Sequence, residues 1–143
     1  MNSVSSILID TNVLIYATDS SSYYHNVAVE FVIENYNSLV LANQVVNEYI
    51  RVVTHKSFKK PLSLSVALQN IDAYKKSFKD FILPNSRTHD IFFGLLKKHK
   101  LVSNKIFDAY LVSIGLSNGV GKIATFNEKD YKAFGGIQIV KLF

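Results

Sequence analysis

Five short apolar runs rich in branched side chains punctuate the chain: Ile7 to Ile9, Leu39 to Leu41, Phe81 to Leu83, Ile123 to Ala124 and Ile137 to Val140. Runs of this kind predict strands buried on both faces of a parallel sheet. Between them the period changes. Tyr24, Val27, Ala28, Phe31 and Val32 keep the i, i+3, i+4 spacing of a helix with one apolar stripe, and so do Leu64, Ala67, Leu68, Ile71 and Tyr74. Val45, Val46, Tyr49, Ile50 and Val53 follow it less strictly, as do Phe107, Tyr110, Leu111 and Ile114, with Ser117-Asn118-Gly119 as a stop signal. Strands alternating with helices predict right-handed crossovers and a parallel sheet covered on both faces, an α/β sandwich. No repeat or linker interrupts the pattern, so residues 1–143 read as one domain. The segment 56–78 carries two helical patterns between the second and third strands, which predicts a projecting helical arm.

Composition narrows the class. The chain has 143 residues and 48% hydrophobic positions, within the range of a domain that buries its own core. Without Cys it has no thiolate nucleophile, disulfide or Cys-bound zinc, which fits a reducing compartment. The longest apolar run, Ile91 to Leu96, is far short of the ~18 residues of a membrane span. The N-terminal residues lack the basic and apolar regions of a secretory signal, so a cytoplasmic location is expected. The net charge is +5, and Lys supplies 14 of 16 positive charges, ten of them in clusters at 56–60, 75–79 and 97–105. Such clusters attract a polyanion, although each alone is also what a solvated helix face looks like.

The acids carry the chemistry. Asp10 ends the first strand, at the edge of an α/β sheet where ligands bind; a turn or cap role competes with that reading. Glu48 stands among apolar and amide neighbours early in the helix after the second strand, where a carboxylate is costly to bury unless it binds a metal or pairs with Arg51. Asp108 opens a helix in the apolar setting Ile106-Phe107-Asp108-Ala109-Tyr110, beyond what a favourable helix-dipole charge requires. After the fourth strand, Thr125, Asn127 and Asp130 reach the same edge, with capping of a following short helix as the competing role for Asn127 and Asp130. Several acids at one sheet edge repel one another unless a cation neutralises them, and an oxygen-only ligand set favours Mg²⁺ or Mn²⁺. The four His residues are scattered, and most of the eighteen Tyr and Phe fall on core stripes.

Taken in order, Ile9-Asp10-Thr11-Asn12, Asn47-Glu48 with Arg51, Phe107-Asp108-Ala109-Tyr110 with Gly119, and Thr125-Phe126-Asn127 with Asp130-Tyr131 make the chain resemble a PIN-domain nuclease, most closely the VapC toxin type. The resemblance implies a three-layer α/β/α sandwich with a five-stranded parallel sheet. It further implies a Mg²⁺- or Mn²⁺-dependent endoribonuclease that leaves 5′-phosphate and 3′-hydroxyl ends, a homodimer, and a cognate antitoxin. It makes Asp10, Glu48 and Asp108 the catalytic, metal-binding acids. In the fourth position Asn127 departs from the family's usual Asp, which leaves Asn127 and Asp130 both as candidate ligands. Thr11 and Thr125 are candidates for orienting the carboxylates or the attacking water. Three other readings compete, one of them a structure-specific DNA nuclease of the same broad fold, which would need extra segments to clamp a junction or flap. An aspartyl phosphatase would need a second Asp where Asn12 stands, and a silent PIN-like module that binds RNA or protein would have no use for three mutually repelling acids.

Overall fold

The computed structural model describes residues 5–143. Its five strands are β1 (Ile7–Ile9), β2 (Leu39–Ala42), β3 (Asp80–Ile82), β4 (Lys122–Ala124) and β5 (Gln138–Val140). They form one parallel sheet in the order β3-β2-β1-β4-β5, with Leu8 opposite Val40 on one side and Ile123 on the other. β1, β2 and most of β4 are buried, as continuous apolar runs require when helices cover both faces. The six helices are α1 (Thr11–Thr18), α2 (His25–Asn35), α3 (Asn43–Thr54), α4 (Leu64–Ser77), α5 (Thr88–His99) and α6 (Lys105–Ser117).

The chain runs outward from β1 to β2 and β3, then returns to lay β4 and β5 on the other side of β1. With right-handed crossovers, α1 to α4 cover one face and α5 and α6 the other. The packing agrees: α1 lies against α2 and α3, α4 against α3, and α5 against α6. β1 and β4 therefore flank the point where strand order reverses, and the crevice beyond their carboxyl ends is where this architecture binds ligands.

Two helices had no periodic signature. α1 follows β1 directly and is apolar nearly all round, with Val13 and Leu14 fully buried, so it shows no stripe. α5 is the apolar run Ile91 to Leu96 capped by Lys97, Lys98 and His99, with Phe93 left exposed. The segment 56–78 differs from the expected arm. It contains one helix rather than two, and α4 lies against α3 through buried Ala67 and Ile71 instead of projecting. The Tyr49 hydroxyl fastens this side: it is 2.8 Å from Thr18 Oγ1 and accepts from Asn70 Nδ2 at 3.1 Å, joining α1, α3 and α4.

α6 packs tightly against the sheet at Gly115. A Cβ at Gly115 would stand 3.1 Å from the Leu8 side chain and 3.3 Å from the Val120 carbonyl, so glycine lets the helix approach without displacing either neighbour. The helix ends at Gly119, whose φ of +76° is the left-handed conformation that glycine adopts without strain. Among the described residues no helix is long and apolar enough to cross a membrane.

Candidate active site

Asp10 leaves β1 with its backbone N–H still on the Ala124 carbonyl, so the sheet ladder delivers it to the crevice. Its side chain caps α1, accepting the Thr11 backbone N–H at 2.8 Å. The Thr125 hydroxyl donates to its other oxygen at 2.8 Å. Thr125 is fully engaged, for it also accepts from Asn12 Nδ2 at 3.2 Å and from the Asn127 backbone N–H at 3.0 Å. Asn12 closes the corner by accepting the Phe126 backbone N–H. Burial pushes the Asp10 carboxyl above its ordinary value, the Thr125, Thr11 and Tyr131 donors pull it back, and the Glu48 charge adds to the rise.

Asp108 projects from the first turn of α6 and is half-buried. Among the described residues its carboxylate accepts one hydrogen bond, from the Tyr131 hydroxyl at 3.4 Å. Its carboxyl is pushed up to about 6, first by burial and then by the charges of Asp130 and Asp10; Tyr131 and Lys105 work against the rise. Tyr131 is 2% exposed and its hydroxyl faces both Asp10 and Asp108; burial first, and then the charges of these two acids, push the phenol far above its ordinary range.

Glu48 is placed differently from the buried setting expected of it. α3 buries Val45, Tyr49 and Val53 and turns Asn47, Glu48 and Arg51 outward, so Glu48 is an exposed residue on a polar face. It makes no ion pair with Arg51 among the described residues. That face forms one wall of a cavity of about 670 Å³, which Gln44, Asn104, Phe107, Asp108 and Asp130 complete. Gln44 braces the opening by donating to the Phe107 carbonyl at 3.0 Å. Asp130 lies 3.7 Å from Lys105 Nζ. Asn127 is exposed, stands at the N-cap position of the short 3-10 helix Glu128–Asp130 without capping it by its side chain, and lines a neighbouring cavity that shares Asp130.

Thus Glu48, Asp108 and Asp130 share one cavity, Asp10 meets Asp108 across the Tyr131 hydroxyl, and Asn127 stands aside. Thr125 touches Asp10 through its hydroxyl, Thr11 through its backbone N–H. Among the described residues no three Asp, Glu or His side chains are drawn close enough to hold a metal ion by themselves. Glu48, being exposed on the cavity wall, is free to turn toward Asp108 and Asp130. The donor chemistry suits a hard divalent cation: the groups are oxygens, two of the acids are disfavoured as anions, and Arg51 and Lys105 are the cations beside them. Sequence reasoning missed Tyr131 and Asn12 as site residues. Each lies within two positions of a singled-out acid, and only the tertiary contacts set them apart from their neighbours.

A family model described as PIN domain matches residues 7–136, spanning all these groups. The chain belongs to the PIN domain family. Solved structures share this PIN fold at low identity. Mycobacterium tuberculosis VapC20, described as a sarcin-ricin loop cleaving toxin, is 14% identical with a TM-score of 0.69, covering 93% of this chain and 99% of its own. DNA-bound VapBC from Salmonella typhimurium is 16% identical with a TM-score of 0.70, covering 98% and 100%. A toxin-antitoxin complex from Klebsiella pneumoniae is 19% identical with a TM-score of 0.68, covering 96% and 98%. No curated protein matches the sequence.

Proposed function

We propose that this PIN domain is a metal-dependent endoribonuclease acting as the toxin of a toxin–antitoxin pair. The observation that carries the reading is the convergence of Asp10 and Asp108 on one buried hydroxyl, where strand order reverses, with Glu48 and Asp130 in the adjoining cavity. Asp10, Glu48 and Asp108 would hold Mg²⁺ or Mn²⁺, with Asp130 favoured over Asn127 as the fourth group because it lines the same cavity. The cation supplies activation of water and neutralisation of charge on the phosphoryl oxygens.

The protein's own groups prepare the reaction. Thr125, Thr11 and Asn12 fix Asp10, so its orientation costs nothing when substrate arrives. Arg51 and Lys105 flank the acids and are available to phosphates on either side of the scissile one. Water adds to phosphorus, the P–O3′ bond breaks, and the products carry a 5′-phosphate and a 3′-hydroxyl that has gained a proton. No Cys or His nucleophile is needed.

The relatives that supply a partner are the VapBC and toxin-antitoxin complexes. By that likeness the chain takes a cognate antitoxin, whose basic side chain enters the acid cluster and competes with metal and phosphate. A homodimer and a cytoplasmic location belong to the same reading. The test is cleavage of a total-RNA pool with Mg²⁺ or Mn²⁺, using EDTA and Asp10→Asn as controls. Cuts that vanish in both controls support the nuclease. Equally intact RNA with wild type and variant, while metal binding is verified, favours the silent binding module instead.

A further inference from the structure

Asp10 and Asp108 are held in unequal ways. Asp10 has donors on both oxygens from Thr11 and Thr125, with Asn12 Nδ2 3.4 Å away. Among the described residues the Asp108 carboxylate has one donor, the Tyr131 hydroxyl at 3.4 Å. Asp130 and Asp10 both repel Asp108, and its half-buried position leaves an easy way out to solvent. The tyrosine cannot follow it. Tyr131 ends the 3-10 helix, with its backbone N–H on the Glu128 carbonyl at 3.1 Å. Its ring packs against Phe134 with centroids 6.3 Å apart, and Phe134 in turn meets His99 at 5.4 Å. The hydroxyl is therefore a fixed point between the firmly held Asp10 and the weakly held Asp108, on a ring anchored through Phe134 to the end of α5.

We propose that Tyr131 is a positioning residue: its hydroxyl keeps Asp108 turned toward Asp10, so that both carboxylates face a divalent cation before it binds. This rests on the metal-dependent reading above. A hydrogen-bond partner that orients a metal ligand typically changes affinity by about 10–100-fold when removed.

The test is Mn²⁺ titration calorimetry without RNA on wild type, Tyr131→Phe, Asp108→Asn and the double variant, each checked for folding by circular dichroism. Phe keeps the ring and its contact with Phe134, so the fold is retained. The expected result is about tenfold weaker Mn²⁺ binding in Y131F, and no additional loss when Y131F is introduced into D108N, because the hydroxyl acts through Asp108. Tyr49→Phe, a buried tyrosine whose hydroxyl serves Thr18 and Asn70, is the control and should bind Mn²⁺ like wild type. Affinity in Y131F within twofold of wild type, or an equal loss in the D108N background, overturns the proposal and leaves the metal site standing. Wild type that binds no Mn²⁺ overturns both.

Discussion

The Asp10 end of the site and the Glu48 wall present the same chemical group in opposite physical states. Asp10 is buried, donors reach both of its oxygens, and it sits where β1 and β4 deliver it. Glu48 is exposed on the outer face of α3, and among the described residues no hydrogen bond or ion pair fixes its side chain. A carboxylate held by a buried network contributes precise placement and suffers desolvation; an exposed one contributes charge and adaptability at almost no cost to folding. The site combines both kinds, with Asp108 between them in burial and in restraint.

Removing the fixed end should have the largest consequence. Asp10→Asn is expected to lower RNA cleavage by about 10³-fold, corresponding to the several kcal/mol that a metal supplies to such a transition state, measured as single-turnover rates in Mn²⁺. Glu48→Gln should lower cleavage less, by about 10²-fold, while its denaturation free energy stays within about 0.5 kcal/mol of wild type, as for other exposed substitutions. A cleavage loss in E48Q equal to that in D10N would erase the distinction between the two ends.

Asp108 sharpens the comparison through pH. Folding raises its carboxyl from 3.8 to about 6, so the folded protein binds more protons than the unfolded chain between those values. Its contribution to metal-free stability therefore falls as pH rises through that window and is constant above it. The melting temperature of Asp108→Asn minus that of wild type should be near zero at about pH 4, grow to about pH 6, and then level off. Added Mn²⁺ should reverse the order at pH 7, raising wild type more than the variant. A difference that shrinks with rising pH would mean the carboxyl is stabilised as an anion by the fold.

The smallest effects concern the fourth position. Asp130→Asn is expected to weaken Mn²⁺ binding by about tenfold, because Asp130 shares the cavity of Glu48 and Asp108. Asn127→Ala should stay within about twofold in the same titration, as befits an exposed side chain outside that cavity. The opposite ranking would make Asn127 the ligand.

How far the amino-acid pattern reached depended on whether a residue's role is local. The central strands and four helices were readable because burial on two faces, or on one stripe, leaves a period in the sequence; the edge strands β3 and β5, expected to be buried on both faces, are only partly covered. α1 and α5 were not, since a helix that is apolar nearly all round, or that carries an apolar run ending in lysines, has no stripe to detect. Asp10, Glu48 and Asp108 stood out as acids in apolar company. Glu48 nevertheless proved exposed, because its apolar neighbours Val45, Tyr49 and Val53 form a stripe on the other side of the same helix. Tyr131 was hidden for the reverse reason: a tyrosine beside an acid in a short turn looks like any surface pair, and only the close approach of α6 reveals what its hydroxyl faces.

The bond from Thr125 to Asp10 joins residues 115 positions apart. At ribosomal speeds of about 5–20 residues per second, Asp10 is made on the order of 10 s before the threonine that steadies it. Tyr131 follows later still, and Asp108 shortly precedes both. While the residues between them are being made, the nascent chain therefore carries the first acid without the groups that complete its surroundings, and the carboxylate waits in water for the partners that later desolvate and orient it.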